Sequence, residues 1–83
     1  MSYDKVAQAN IKKIIGTKQV SKAIKNGQVN EVIIASDADS HITSKISKLA
    51  AEHQIPHCYV DSRKELGKAC GIDVSAAVVA IKQ

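Results

Sequence analysis

Apolar and polar positions alternate along the chain with two periods, one typical of strands and one typical of helices. The clearest strand is residues 31–36 (Glu-Val-Ile-Ile-Ala-Ser), a β-branched run with too few polar positions for a half-exposed strand. We therefore expect this strand to be central in a sheet and covered on both faces. Further apolar runs predict a brief strand at residues 14–15, another at residues 57–60 and a buried one at residues 76–81.

The segment that follows the brief strand has the apolar period of a helix. Thr17 is a suitable cap for this helix, which is expected to end near residues 26–27. Its apolar face consists of Val20, Ala23 and Ile24, and another face consists of Lys18, Lys22 and Lys25. A short helix is also predicted over residues 3–9, with Ser2 as its cap and Val6 facing inward.

Two more helices are predicted in the second half of the chain. Asp39 or Ser40 caps the first of them, which stops before Pro56. Its apolar residues recur at i, i+4, i+7 and i+8, as Ile42, Ile46, Leu49 and Ala50. The second covers residues 63–70 and is closed by Gly71. Helices that alternate with buried strands predict an α/β fold, a three-layer α/β/α sandwich with a small mixed sheet.

The length of 83 residues is enough for one domain around one core, so residues 1–83 are interpreted as a single domain. The longest apolar run, residues 76–81, is far shorter than a membrane span, and residues 1–8 are polar. We therefore expect a soluble, cytoplasmic monomer with no membrane partner. Cys58 and Cys70 lie in apolar surroundings and are interpreted as reduced core residues.

Positive charge is concentrated at the two ends of the chain. The net charge is +4, from twelve Lys and Arg against eight Asp and Glu. Residues 1–30 carry six lysines and one aspartate, whereas residues 31–62 carry five acidic residues and two lysines. This uneven field favours an anionic partner that meets both ends where they fold together. Solvated lysines that serve only solubility are the alternative.

The most enzyme-like feature is Asp37-Ala38-Asp39, which directly follows the central strand. Carboxylates at such a position hold divalent ions in many α/β enzymes, but no third ligand, nucleophile or general base is identifiable beside them. Asp39 also has a sufficient role as a helix cap. The residues that could form a zinc site on paper are His41, His53, His57 and Cys58. Pro56 and a helix end separate His53 from His57, so we expect neither metal, cofactor nor catalysis.

A turn at Gly16 leads into a helix whose first two turns carry Thr17, Lys18, Gln19 and Lys22. Such a helix start offers unpaired backbone N–H groups, the positive end of a dipole, two cations and one amide. These groups suit phosphates and a base edge, so nucleic acid is the leading partner. An ordinary exposed, capped helix is the alternative interpretation.

Apolar residues also occupy a predicted loop between Gly71 and the last strand. Ile72 and Val74 either pack inward there or point outward as a small apolar platform for a partner or an unstacked base. The aromatic content of 2% excludes the stacking platforms on which many RNA-binding domains depend.

Five segments in this order resemble the family of the archaeal ribosomal protein L7Ae, and most closely its short bacterial YbxF-like branch. The segments are residues 14–22 (Ile-Ile-Gly-Thr-Lys-Gln-Val-Ser-Lys), 32–39 (Val-Ile-Ile-Ala-Ser-Asp-Ala-Asp), 55–57 (Ile-Pro-His), 65–72 (Glu-Leu-Gly-Lys-Ala-Cys-Gly-Ile) and 76–81 (Ala-Ala-Val-Val-Ala-Ile). The resemblance covers nearly the whole chain. It implies an α/β/α sandwich that grips kink-turn RNA, a sharply bent helix with tandem sheared G·A pairs.

The resemblance also implies the positions that contact RNA. The family motif Gly-x-Asn-Glu-x-x-Lys falls on the helix start already described, at Gly16, Lys18, Gln19 and Lys22. An acidic residue, a basic residue and an apolar loop surround an extruded nucleotide in the family. The corresponding positions in this sequence are Asp39, Arg63, Ile72, Asp73, Val74 and Ser75.

Three positions depart from the family pattern. Lys18 replaces an Asn, Gln19 replaces a Glu, and Ser40 replaces a frequent Pro, which concerns only helix capping. Gln19 keeps one acceptor oxygen for a guanine N–H, while Lys18 favours a phosphate or a guanine O6/N7 edge. We therefore expect strong binding with a changed sequence preference.

The sequence as a whole predicts a non-enzymatic, ribosome-associated protein that recognises kink-turn RNA and stabilises its bent form. Its target would be rRNA or an mRNA leader. One alternative is a structural ribosomal protein that contacts the rRNA backbone without kink-turn specificity. The other is a small metal-dependent enzyme at Asp37 and Asp39.

Overall fold

The structure is a computed structural model that describes residues 12–82. Its elements are β1 (Lys13–Ile15), α1 (Thr17–Lys25), β2 (Val29–Ala35), α2 (Ser40–Glu52), β3 (His57–Val60), α3 (Arg63–Ala69) and β4 (Val78–Lys82). No helix in this range is long and apolar enough to cross a membrane. The helix predicted over residues 3–9, with its cap Ser2 and the inward-facing Val6, lies outside the described residues.

The four strands form one mixed sheet in the order β1-β4-β2-β3. β4 pairs antiparallel with both β1 and β2, whereas β3 runs parallel to β2. In this register Ile33 of β2 lies between Val79 of β4 and Cys58 of β3. The central position predicted for the run around Ile33 is therefore confirmed.

Helices cover both faces of this sheet. Val32 and Ile34 of β2 point to the side of α1 and α2, where they pack into one apolar cluster. Ile33 and Ala35 alternate with them and point to the other side, where a second cluster includes Leu66 of α3. Because successive residues of a strand face opposite sides of the sheet, an uninterrupted apolar run fills both clusters. The predicted three-layer α/β/α sandwich with a mixed sheet is thus confirmed.

The apolar face predicted for α1 is also confirmed, but the boundaries of three strands differ from those predicted. β1 begins at Lys13, one residue earlier than predicted. β2 begins at Val29, because a β-bulge between Val29 and Glu31 carries the strand past the polar Asn30, which hides its start in the sequence. It ends at Ala35, one residue earlier than predicted. β4 begins at Val78 and not at residue 76. The N–H of Ala76 donates to the carbonyl of Arg63 at 2.9 Å, which ties this residue to the start of α3 and not to a neighbouring strand.

The third helix ends at Ala69, one residue earlier than predicted, with Cys70 at its C-cap and Gly71 beyond it at φ 80°. Neither cysteine forms a disulfide, but both are half-buried and lie at the margin of the second cluster, which corrects their prediction as core residues. Burial raises the pKa of the Cys70 thiol above its ordinary value, and the positive charge of Lys13 opposes this shift in part. The Cys70 thiol is therefore protonated at neutral pH.

Candidate nucleic-acid interface

The topology of the sheet gathers all the candidate residues along one of its edges. β1, β2 and β3 end at this edge, and β4 begins there because it runs antiparallel to β1 and β2. The connections at this edge are residue 16, residues 36–39, residues 61–62 and residues 70–77. Segments far apart in the sequence therefore become neighbours.

Backbone hydrogen bonds hold these connections together. The N–H of Gly16 donates to the carbonyl of Val78 at 3.2 Å, which joins the turn before α1 to the start of β4. Ser36 donates twice to the carbonyl of Val60, from its N–H at 2.7 Å and from its hydroxyl at 2.9 Å. The turn after β2 is thereby joined to the end of β3.

Gly16 is the N-cap of α1, so the prediction of Thr17 as the cap is wrong. Gly16 has φ 106° and ψ 139°, a conformation that glycine adopts readily, and its carbonyl accepts the first helical hydrogen bond from the Val20 N–H at 2.9 Å. Thr17 is the first helical residue, and the N-cap Gly16 has no side chain that could cap the N-terminus of α1. The positive end of the helix dipole is therefore open to an anion.

Cations surround this helix start. Lys18, Gln19 and Lys22 are exposed, and they line an open groove of about 510 Å³ together with Thr17 and three residues from farther along α1 and from α2. Those three residues are Ser21, Lys25 and Lys45. We call this groove the basic groove, since four lysines and no acidic residue line it among residues 12–82. The sequence did not predict the participation of Lys45, because only the packing of α1 beside α2 places it there.

The two aspartates after β2 both have a structural partner. The Asp39 carboxylate accepts a hydrogen bond from the His41 N–H at 2.8 Å, so Asp39 is the cap of α2, one of the two predicted alternatives. The Asp37 carboxylate accepts a hydrogen bond from the Arg63 N–H at 2.8 Å. Helix capping therefore accounts for both residues. Within residues 12–82, no group of three or more His, Cys, Asp or Glu could hold a metal ion.

Arg63 connects two of the loops through its backbone while its side chain is exposed. Its N–H binds Asp37, as described, and its carbonyl accepts the hydrogen bond from Ala76 at 2.9 Å. α3 begins here with Ser62 as its N-cap, whose hydroxyl accepts from the Glu65 N–H at 3.2 Å. The positions predicted at residues 39 and 63 are therefore held close to each other and to the segment before β4.

In the apolar loop before β4, one apolar residue packs inward and the other points outward. Ile72 is half-buried and packs against the second cluster, whereas the side chain of Val74 is 69% exposed. Asp73 and Ser75 are exposed beside it. A Cβ atom on Gly67 of α3 would overlap the carbonyl oxygen of Val74, so the loop lies directly against the helix backbone at this point. Only a glycine at this position permits so close an approach.

Two further lysines stand beside this loop. Lys64 and Lys68 line a depression of about 240 Å³ together with residues 72–75. Their i, i+4 spacing, which is visible in the sequence, places both on one face of α3. The depression and the basic groove share no lining residue, so the candidate interface has two separate parts along one edge of the sheet.

The model of the Ribosomal protein L7Ae/L30e/S12e/Gadd45 family matches residues 1–83. The chain belongs to this family. An RNA-binding protein of Halalkalibacterium halodurans is 54% identical to this L7Ae-family chain over 83 residues, 100% of each chain. The RNA-binding protein YbxF of Geobacillus stearothermophilus is 54% identical over 81 residues, 98% of each chain. These relatives confirm the predicted placement in the bacterial YbxF-like branch.

Solved structures share the fold of this L7Ae-family chain. The Giardia lamblia 15.5kD RNA binding protein matches it with a TM-score of 0.85 and 26% identity, over 98% of this chain and 68% of that one. A protein described as of unknown function from Bacillus halodurans C matches with a TM-score of 0.84 and 36% identity, over 98% of this chain and 80% of that one. The α/β architecture is thus the one that L7Ae-like RNA-binding proteins have.

Proposed function

We propose that residues 1–83 act as one RNA-binding domain that recognises kink-turn RNA and stabilises its bent form. The observation that carries this proposal is the convergence of an uncapped, lysine-rich helix start and three further loops along one edge of the sheet. The names of the relatives support RNA as the ligand class and a non-enzymatic role.

The helix start suits a kinked duplex better than a regular one. Side chains cannot read the deep, narrow major groove of A-form RNA, and a sharp bend opens it. The open N-terminus of α1 would then approach the backbone, with Lys18 and Lys22 neutralising phosphates. Gln19 is exposed beside them and would supply the base contact through its amide.

The second part of the interface suits an unstacked nucleotide. Val74 is the exposed apolar contact, and Lys64 and Lys68 provide positive charge for the adjoining phosphates. Arg63 and Asp39 lie at the neighbouring loop ends. One Asp39 oxygen caps α2, and the exposed carboxylate would accept a hydrogen bond from a base through the other.

Binding of this kind requires no catalysis. A protein that binds the bent RNA more tightly than the extended RNA shifts the population toward the bent form by the difference in affinity. We expect the protein to act as a cytoplasmic monomer on rRNA or on an mRNA leader, in association with ribosomes.

A binding titration tests the proposal. The purified protein is titrated against a kink-turn RNA and against the same RNA in which both sheared G·A pairs are Watson–Crick pairs, at near-physiological salt. Nanomolar affinity that is lost on the altered RNA is the expected result. Equal, weak and strongly salt-dependent binding to both RNAs would contradict it and favour the ribosomal scaffold that contacts rRNA backbone.

A further inference from the structure

The basic groove continues beyond the helix start. A second depression, of about 230 Å³, lies where α1 and α2 pack side by side, and Lys48, Leu49 and Glu52 of α2 line it. It shares Lys25 and Lys45 with the basic groove. The two depressions therefore form one continuous feature, which we call the lysine track, running from Lys18 to Lys48.

Charge along the lysine track is almost entirely positive. Lys18, Lys22 and Lys25 recur every three to four residues and so lie on one face of α1, and Lys45 and Lys48 lie one turn apart on α2. All five side chains are exposed, and Glu52 is the sole acidic residue among the described residues that line the track. The α1 part extends about 10 Å along the helix axis.

The composition of the track favours a phosphate backbone over other ligands. Lysines are flexible point charges that neutralise phosphates, whereas base stacking requires aromatic or planar side chains. None of the described residues that line the track is aromatic. A length of about 10 Å corresponds to roughly three successive phosphates of one strand.

The residues at the start of the track indicate that the phosphate backbone is that of RNA. Its first residues, Lys18 and Lys22, belong to the helix start at which the proposed function places RNA. An RNA strand that leaves this point along the groove between α1 and α2 meets Lys25, Lys45 and Lys48. We propose that one duplex stem adjoining the kink follows the lysine track and places its phosphates against Lys25, Lys45 and Lys48. This inference rests on the proposed function and enlarges the protein surface that contacts RNA.

A matched pair of double variants tests the inference. Lys45→Gln with Lys48→Gln removes two charges from the track, and Lys12→Gln with Lys82→Gln removes two exposed charges at the opposite edge of the sheet. All four side chains are exposed, so circular dichroism should show both variants folded. Affinity is measured against salt concentration for a kink-turn RNA, and for versions in which each stem in turn is cut back to the kink.

We expect the track variant to lose about tenfold in affinity on the full RNA and to lower the salt slope by about 1.4–1.8, the equivalent of two phosphates. The loss should vanish when one particular stem is shortened, and the control variant should show little change. A loss that is the same for every stem length, or the same in the control variant, would overturn the inference. Unchanged RNA affinity would also overturn it and would leave an acidic protein as the partner of the track. Discrimination by the wild-type protein between kink-turn and altered RNA decides the proposed function separately.

Discussion

The contact between Gly67 and the loop before β4 leads to a prediction about a residue that does not itself face RNA. Gly67→Ala would ordinarily stabilise a helix by about 1 kcal/mol. Here the added Cβ would overlap the Val74 carbonyl and stand 3.1 Å from the Ser75 Cα, and both are backbone atoms that cannot rotate away. Overpacking costs about 1–3 kcal/mol, and an overlap with backbone belongs at the upper end of that range.

The net result should be a loss of about 1–2 kcal/mol in the free energy of unfolding. For a domain of this size each kcal/mol lowers Tm by about 4–8 °C. The loop must also move away from α3, which displaces Val74 from the candidate interface. We therefore expect weaker binding of kink-turn RNA even at temperatures where the variant is fully folded.

Thermal unfolding and RNA titration together check this prediction. Ser44→Ala is a suitable control because Ser44 is exposed in the middle of α2, where an alanine adds helix propensity without a steric conflict. The control should unfold at the same temperature as the wild type or slightly higher, and should bind RNA normally. If Gly67→Ala were as stable as the control, or destabilised with unchanged RNA affinity, the argument from the loop contact would be refuted.

Four further predictions follow from single residues. Gln19→Ala should cost roughly 1–3 kcal/mol on kink-turn RNA and little on plain duplex, since a base contact is specific; equal losses on both RNAs would argue against it. Lys22→Ala should lower the salt slope by about one phosphate equivalent, and an unchanged slope would remove Lys22 from the interface. Ser21→Ala should raise the free energy of unfolding by about 0.5–1.5 kcal/mol, because the Ser21 hydroxyl is buried with no hydrogen-bond partner among residues 12–82 and alanine favours helix. Denaturant unfolding measures this change, and a loss of stability would mean that the hydroxyl does have a hydrogen-bond partner. Alkylation of Cys70 in a Cys58→Ser variant should have a pH midpoint above that of free cysteine, because burial raises the thiol pKa and only the thiolate reacts; a midpoint at or below the free value would contradict this.

Local pattern determined the elements of this protein and the identity of its core. The run from Val32 to Ala35 is apolar at every position, and this alone required a strand with both faces covered. Ile46 and Ala50 recur with the period of a helix, and both are fully buried in α2. Such features depend on neighbours within a few residues, so periodicity and caps are sufficient to predict them.

The boundaries of helices and strands were harder to predict from local pattern. Thr17 is a common capping residue, but the conformation of Gly16 starts α1 one residue earlier in the chain. The strand β2 passes through a bulge, whose polar residues look like a loop when read alone. Each of these details depends on a pairing partner elsewhere in the chain, β4 in both cases, because Gly16 and β2 both bond to it.

The candidate nucleic-acid interface is a property of tertiary structure. The order β1-β4-β2-β3 brings Gly16, Asp39, Arg63 and Val74 to one edge of the sheet, and strand order is not encoded in the period of any segment. The lysine track requires α1 to pack beside α2. In the loop before β4, Ile72 is half-buried and Val74 is exposed because α3 lies beneath the loop. The sequence by itself thus determined which segments become strands and helices and which residues are apolar enough to be buried. Only long-range pairing and packing decided which of the remaining polar residues meet, because those contacts join residues far apart in the chain.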